Sequence, residues 1–101
     1  MTIDWPAIAP ATHPGESGAA YWRTVQSGAS RVRVVDYSPG YKGDHWCERG
    51  HKTFCLAGGF AVEYVDGTTE SIEAGQSWCA HDGAPGHRIV TPSGAKLFIV
   101  D

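Results

Sequence analysis

No stretch of ten or more residues in this chain repeats apolar side chains at the helical spacing, and no apolar run is long enough to cross a bilayer. The first absence argues against a helical bundle or an alternating α/β chain, and the second leaves no candidate membrane-spanning helix. Grouped basic residues are missing too. Eight Lys and Arg against eleven Asp and Glu give a formal net charge of −3. Without clustered cations there is no surface for neutralising phosphates, which argues against nucleic acid as a partner. The first residues lack a positively charged segment followed by an apolar run, so no secretory leader is expected and the cytoplasm is the expected compartment. Cysteine is scarce and unpaired in pattern. Cys47, Cys55 and Cys79 are odd in number and form no C-x-x-C spacing, which argues against a zinc ribbon, a redox dithiol or a disulfide framework and suits a reducing compartment.

What is present fits one soluble domain. The 101 residues, 42% of them apolar, are near the size at which a single core suffices for folding. Residues 1–28 read as an N-terminal arm, with a short strand over 21–25, and residues 29–101 as the main domain. Pro6, Pro10 and Pro14 bar a regular helix from the arm. Within it Trp5 is expected to anchor on the main domain or on a neighbouring subunit, and His13 to be a solvated turn residue. From residue 31 onward, segments of alternating polar and apolar residues predict strands at 31–37, 53–57, 60–65, 69–73, 76–81, 87–91 and 96–100. Gly58-Gly59 is expected to stop one of them, and Asp66-Gly67 to close a hairpin between two others. About eight short strands separated by Gly and Pro turns mean an all-β sandwich or closed barrel.

The stretch Gly40 to Gly58 carries the chemistry. His45, Cys47 and His51 are spaced His-x-Cys-x-x-x-His. On an extended strand, positions 45 and 47 share a face and Trp46 takes the other. A turn at Glu48-Arg49-Gly50, with Gly50 at positive φ, would bring His51 alongside them. Imidazole and thiolate are donors for zinc, iron(II) and copper alike. The competing reading makes Cys47 a small buried apolar side chain and the histidines ordinary hydrogen-bonding groups. Cys55 and Cys79, each among apolar or aromatic residues, are expected in the core.

These residues resemble the motifs of the cupin superfamily. Gly40, His45, Cys47, His51 and Gly58 fall at almost the spacing of the first cupin motif. Gly75, Gly83 and His87 resemble the second, and His81 stands where that motif has Pro. The resemblance covers roughly residues 31–101 and is closest to small single-domain cupins named for an Asp-His-Cys-Trp signature, whose counterpart here reads Asp44-His45-Trp46-Cys47. It implies a single-domain jelly-roll β-barrel over 29–101. One divalent ion per chain would be held by His45, Cys47, His51 and His87, with zinc favoured and iron(II) second. His81 is the candidate catalytic residue, as a general base or an alternative ligand. A metalloenzyme acting on a small oxygen-bearing metabolite in the barrel follows, of lyase, isomerase or hydrolytic type with zinc and dioxygenase type with iron. The alternative is a non-catalytic binding or sensing module with a structural metal. Small cupins often dimerise through their sheets, so a homodimer is expected.

Overall fold

Turns rich in glycine and proline cut the chain into nine strands, which the computed structural model describes over residues 1–101. A single 3-10 turn at Trp5–Ala7 precedes them. The strands are β1 (Ala11–Pro14), β2 (Ala19–Ser27), β3 (Ser30–Tyr37), β4 (Tyr41–Lys42), β5 (His51–Tyr64), β6 (Thr69–Glu73), β7 (Ser77–Ala80), β8 (His87–Thr91) and β9 (Ala95–Val100). Every pairing is antiparallel. One sheet runs β1-β2-β3-β9-β5-β7 and the other β4-β8-β5-β6. This is the all-β architecture expected from the strand pattern, in the jelly-roll form that the resemblance implies. No helix is long and apolar enough to cross a membrane.

β5 belongs to both sheets. Its first half, His51 to Gly58, pairs with β7 and β9, and its second half, Gly59 to Tyr64, pairs with β6 and β8. The Gly58-Gly59 pair, expected as a strand end, is therefore a corner. The register shifts between Cys55 and Ala57, and Gly58 has φ +71°. A Cβ on Gly58 would lie 2.3 Å from the Gly94 carbonyl oxygen, so only glycine lets the two backbones approach here. The Asp66-Gly67 hairpin forms as expected, with Gly67 at φ +92° between β5 and β6.

Period-two alternation builds the core. Phe60 and Val62 of β5, Ile72 of β6, Trp78 of β7, Leu97 and Ile99 of β9, Val35 and Tyr37 of β3 and Ala20 of β2 form one buried cluster that also holds Cys55. Cys79 departs from its expected place in the core. Trp78 takes the inward position of β7, which turns Cys79 outward to solvent.

The arm contributes more than one short strand. Tyr21-Trp22-Arg23-Thr24-Val25 is rich in aromatic and β-branched residues, and it lies within β2, which pairs with β3 from Ala20↔Tyr37 to Ser27↔Ser30. β1 then adds as an exposed edge strand, the place where Pro14 is tolerated. Trp5 anchors on the chain's own sheet, its ring edge-on to Phe98 at 6.4 Å. His13 is a strand residue rather than a turn residue, and its imidazole stacks on Trp22 at 3.8 Å.

Candidate metal centre

The residues from Gly43 to Gly50 do not form a strand, so the alternation expected for positions 45 to 47 does not hold there. Cys47 is positioned instead by an isolated antiparallel bridge to His87, the first residue of β8. Each residue's N–H donates to the other's carbonyl, at 2.8 and 2.9 Å. Paired residues of this kind project their side chains to the same face. His51 opens β5 and reaches the same point from the other sheet, with its Nε2 3.6 Å from Cys47 Sγ. One donor atom from each of Cys47, His51 and His87 lies within 4.8 Å of the others. His45 is not in this group. Off the strand and 78% exposed, it turns its Nδ1 to the neighbouring Asp44 carboxylate at 2.7 Å.

Both clustered imidazoles are held in the tautomer that turns an unprotonated Nε2 to the cluster. His51 Nδ1 donates to Asp101 Oδ2 at 2.7 Å, and His87 Nδ1 donates to the Pro85 carbonyl at 3.2 Å. A carboxylate and a carbonyl can only accept, so each ring carries its proton on Nδ1 and leaves the Nε2 lone pair free. Nε2 of His87 is buried without any hydrogen-bond partner. Burial, only partly opposed by Asp101, also lowers the His51 pKa and favours the neutral, ligating ring. A thiol sulfur and two oriented imidazoles, one of them with an orphaned buried lone pair, fit a soft or borderline divalent ion.

Asp101 is the positioning group that sequence reasoning missed. Its side chain is 1% exposed, and it accepts a forked pair from Arg31 at 2.8 and 2.9 Å and a bond from Arg33 at 2.9 Å besides that from His51. Burial alone would push its carboxyl up, but the Arg31 hydrogen bonds, the Arg33 charge and the His51 bond hold it well below the usual carboxylate range. Strand parity carried the signal. Asp101 follows Leu97 and Ile99 on the inward side of β9, and Arg33 shares the inward side of β3 with Val35 and Tyr37.

The cluster faces a cavity of about 280 Å³ walled by Trp22, Tyr41, Trp78, Ile89 and Ile99. Trp78 stands edge-on to His87 at 4.8 Å. His45 lies on the wall of this cavity, whereas His81 does not. His81 is exposed, bonds the Asp82 carbonyl through Nδ1 at 2.8 Å and lines a separate polar groove. That groove shares Arg49 and His51 with the cavity, and Gly50 between them lacks the positive φ expected of it and is needed for a different reason. A Cβ there would sit 2.6 Å from the Asp82 amide nitrogen and 2.7 Å from the Ala80 carbonyl oxygen. Gly50→Ala is therefore expected to destabilise the fold by about 1–3 kcal/mol through overpacking against rigid backbone. Urea unfolding checks this, and an unchanged midpoint would refute the contact.

Neither a protein-family model nor a curated protein sequence matches the chain. Solved structures do resemble it. A predicted oxalate decarboxylase from Thermotoga maritima superposes with a TM-score of 0.83 at 16% identity, over 99% of this chain and 96% of that one. The polyketide cyclase RemF from Streptomyces resistomycificus gives 0.79 at 20% identity, over 99% and 77%. An RmlC-like cupin from Shewanella frigidimarina gives 0.76 at 17%, over 97% and 86%. Sequence identities this low carry no activity across, but they leave the architecture unambiguous: the chain has the fold of the cupin superfamily.

Proposed function

We propose that this chain is a mononuclear metal-binding cupin, its ion held by Cys47, His51 and His87, acting on a small oxygen-bearing metabolite taken up in the adjoining cavity. The convergence of three donors within 4.8 Å at the cavity wall is the observation that carries this reading. One thiolate and two neutral imidazoles suit zinc first and iron(II) second. A divalent ion so held supplies Lewis-acid polarisation of a substrate oxygen and, if it is iron, a route to dioxygen. The protein's own groups do the rest. Asp101 and the Pro85 carbonyl fix the two rings, and Trp22, Tyr41 and Ile89 exclude water around the ligand.

Three donors, rather than a closed set of four, leave a position for substrate, and this favours the catalytic reading over a purely structural metal. Lyase, isomerase or hydrolytic chemistry goes with zinc and oxygenation with iron. Among cupin-fold neighbours, one is described as a predicted oxalate decarboxylase, one as a sugar phosphate isomerase and one as a polyketide cyclase, each description belonging to that protein alone.

The purified protein is expected to carry about one zinc or iron ion per chain, and a chelator is expected to lower its melting temperature because the ion binds only the folded state. Elemental analysis and a thermal scan check both points. A protein that stays empty after reconstitution with zinc and with iron(II), and melts unchanged with chelator, overturns the reading.

A further inference from the structure

The cavity beside the donors carries four arginines on its wall. Arg31, Arg33 and Arg49 all face one carboxylate, Asp101, at 2.8, 2.9 and 4.0 Å. Arg88, also on the wall, is matched separately by Glu63 at 2.9 Å and Glu16 at 3.4 Å. Three guanidinium groups thus converge on one side-chain carboxylate. Arg33 is the least satisfied of the three. Its side chain is only 4% exposed, just one of its donors, Nη2, is used within the chain, and its buried Nε has no partner. Trp22 covers one side of the guanidinium, 4.3 Å from ring centre to carbon. A stacked guanidinium offers the N–H edge of its fork, which matches a planar oxyanion. Arg33 and His51 bond the same oxygen of Asp101, so Arg33 Nη2 is two hydrogen bonds away from Nδ1 of the ring whose Nε2 faces Cys47.

We propose that the cavity binds a small organic carboxylate, with its anionic group on the Arg33 fork, flanked by Arg31 and Arg49, and the remainder directed to Cys47, His51 and His87. This rests on the reading of the cavity as a small-molecule site and narrows the oxygen-bearing metabolite to an organic acid. A volume of about 280 Å³, at the low end for ligand cavities, limits it to a few carbon atoms.

Calorimetric titration of zinc-loaded and chelator-treated protein with lactate, neutral lactamide and inorganic phosphate tests the proposal. Lactate is expected to bind at least about 10-fold more tightly than lactamide, because the charged, forked contact is missing in the amide. Arg33→Lys, which keeps the charge and loses the fork, is expected to weaken lactate by a similar factor without changing zinc stoichiometry. Should Arg33→Lys fail to fold, the half-exposed Arg49→Gln is expected to weaken lactate a few-fold at unchanged stability. Equal affinity for lactamide, tighter binding of phosphate, no binding of lactate, or lactate affinity unmoved in both variants overturns the proposal. Zinc stoichiometry on the same samples separates the two readings. Lactate binding by protein that takes up no zinc on reconstitution sinks the metal centre alone, and a full zinc complement without lactate binding sinks the carboxylate alone.

Discussion

Cys47→Ser is expected to abolish the proposed metal binding while leaving the fold intact. Cys47 sits in the loop between β4 and β5, and its bridge to His87 is made by backbone atoms that serine also has. What serine lacks is an ionised soft donor, because its hydroxyl stays protonated at neutral pH and thiolate is the sulfur form that ligates. Loss of a direct ligand should exceed the roughly 10–100-fold in metal affinity that outer-shell partners carry. Metal titration of the variant beside circular dichroism measures both halves of the expectation. Cys79→Ser, at an exposed thiol away from the cluster, is the matched control and should keep the full complement. His45→Ala separates a three-donor centre from the four-donor one implied by motif resemblance. With His45 turned to Asp44, its removal should leave most of the metal bound. Full metal in Cys47→Ser would sink the centre as described.

Asp101→Asn is expected to have the largest effect on stability. The substitution leaves Arg33, nearly fully buried, and the Arg31 fork without their counter-charge. Removing one partner of a buried pair typically costs about 3–5 kcal/mol. His51 loses the acceptor that orients it, so metal affinity should also fall by roughly 10–100-fold. The effect has a definite pH sign. Asp101 is held below its unfolded value of about 3.9, so the folded protein binds fewer protons there, and the stabilisation is complete above about pH 4 and fades as the pH falls below it. His51 is also depressed, chiefly by burial, and its contribution is lost as the pH falls from about 6.5 through its lower folded value. Urea unfolding of metal-free wild type and Asp101→Asn at pH 7, 5 and 3 should show both proteins weakening in acid and the gap between them narrowing below about pH 4. A gap that stays constant to pH 3 would mean that Asp101 is not the counter-charge described.

The architecture was legible because its signals are local. Asp66-Gly67 marks a hairpin by chemistry alone, and the alternation Phe60, Val62, Tyr64 names a buried face without reference to any other strand. Gly58-Gly59 was misread because glycine marks both strand ends and corners, and only the second sheet distinguishes them. The residues 43–50 misled for a related reason. Strand parity predicts a shared face for His45 and Cys47, whereas a two-hydrogen-bond bridge to a residue forty positions later sets the direction of Cys47. Asp101, Arg31 and Arg33 escaped notice because charged side chains usually face water. Their parity with Ile99 and Val35 was visible, but that it turned them inward to one another is a tertiary fact, set by the β3–β9 pairing.

The corner at Gly58 gives β5 a further role. Its fourteen residues double back, so that His51 at one end looks across the sandwich to His87, the partner of Tyr64 at the other end. Whatever holds both rings at once acts as a clasp on the mouth of a folded sleeve, opposite its crease. Such a clasp fastens the chain much as a covalent cross-link would, yet it can be undone by chelation or acid rather than by reduction.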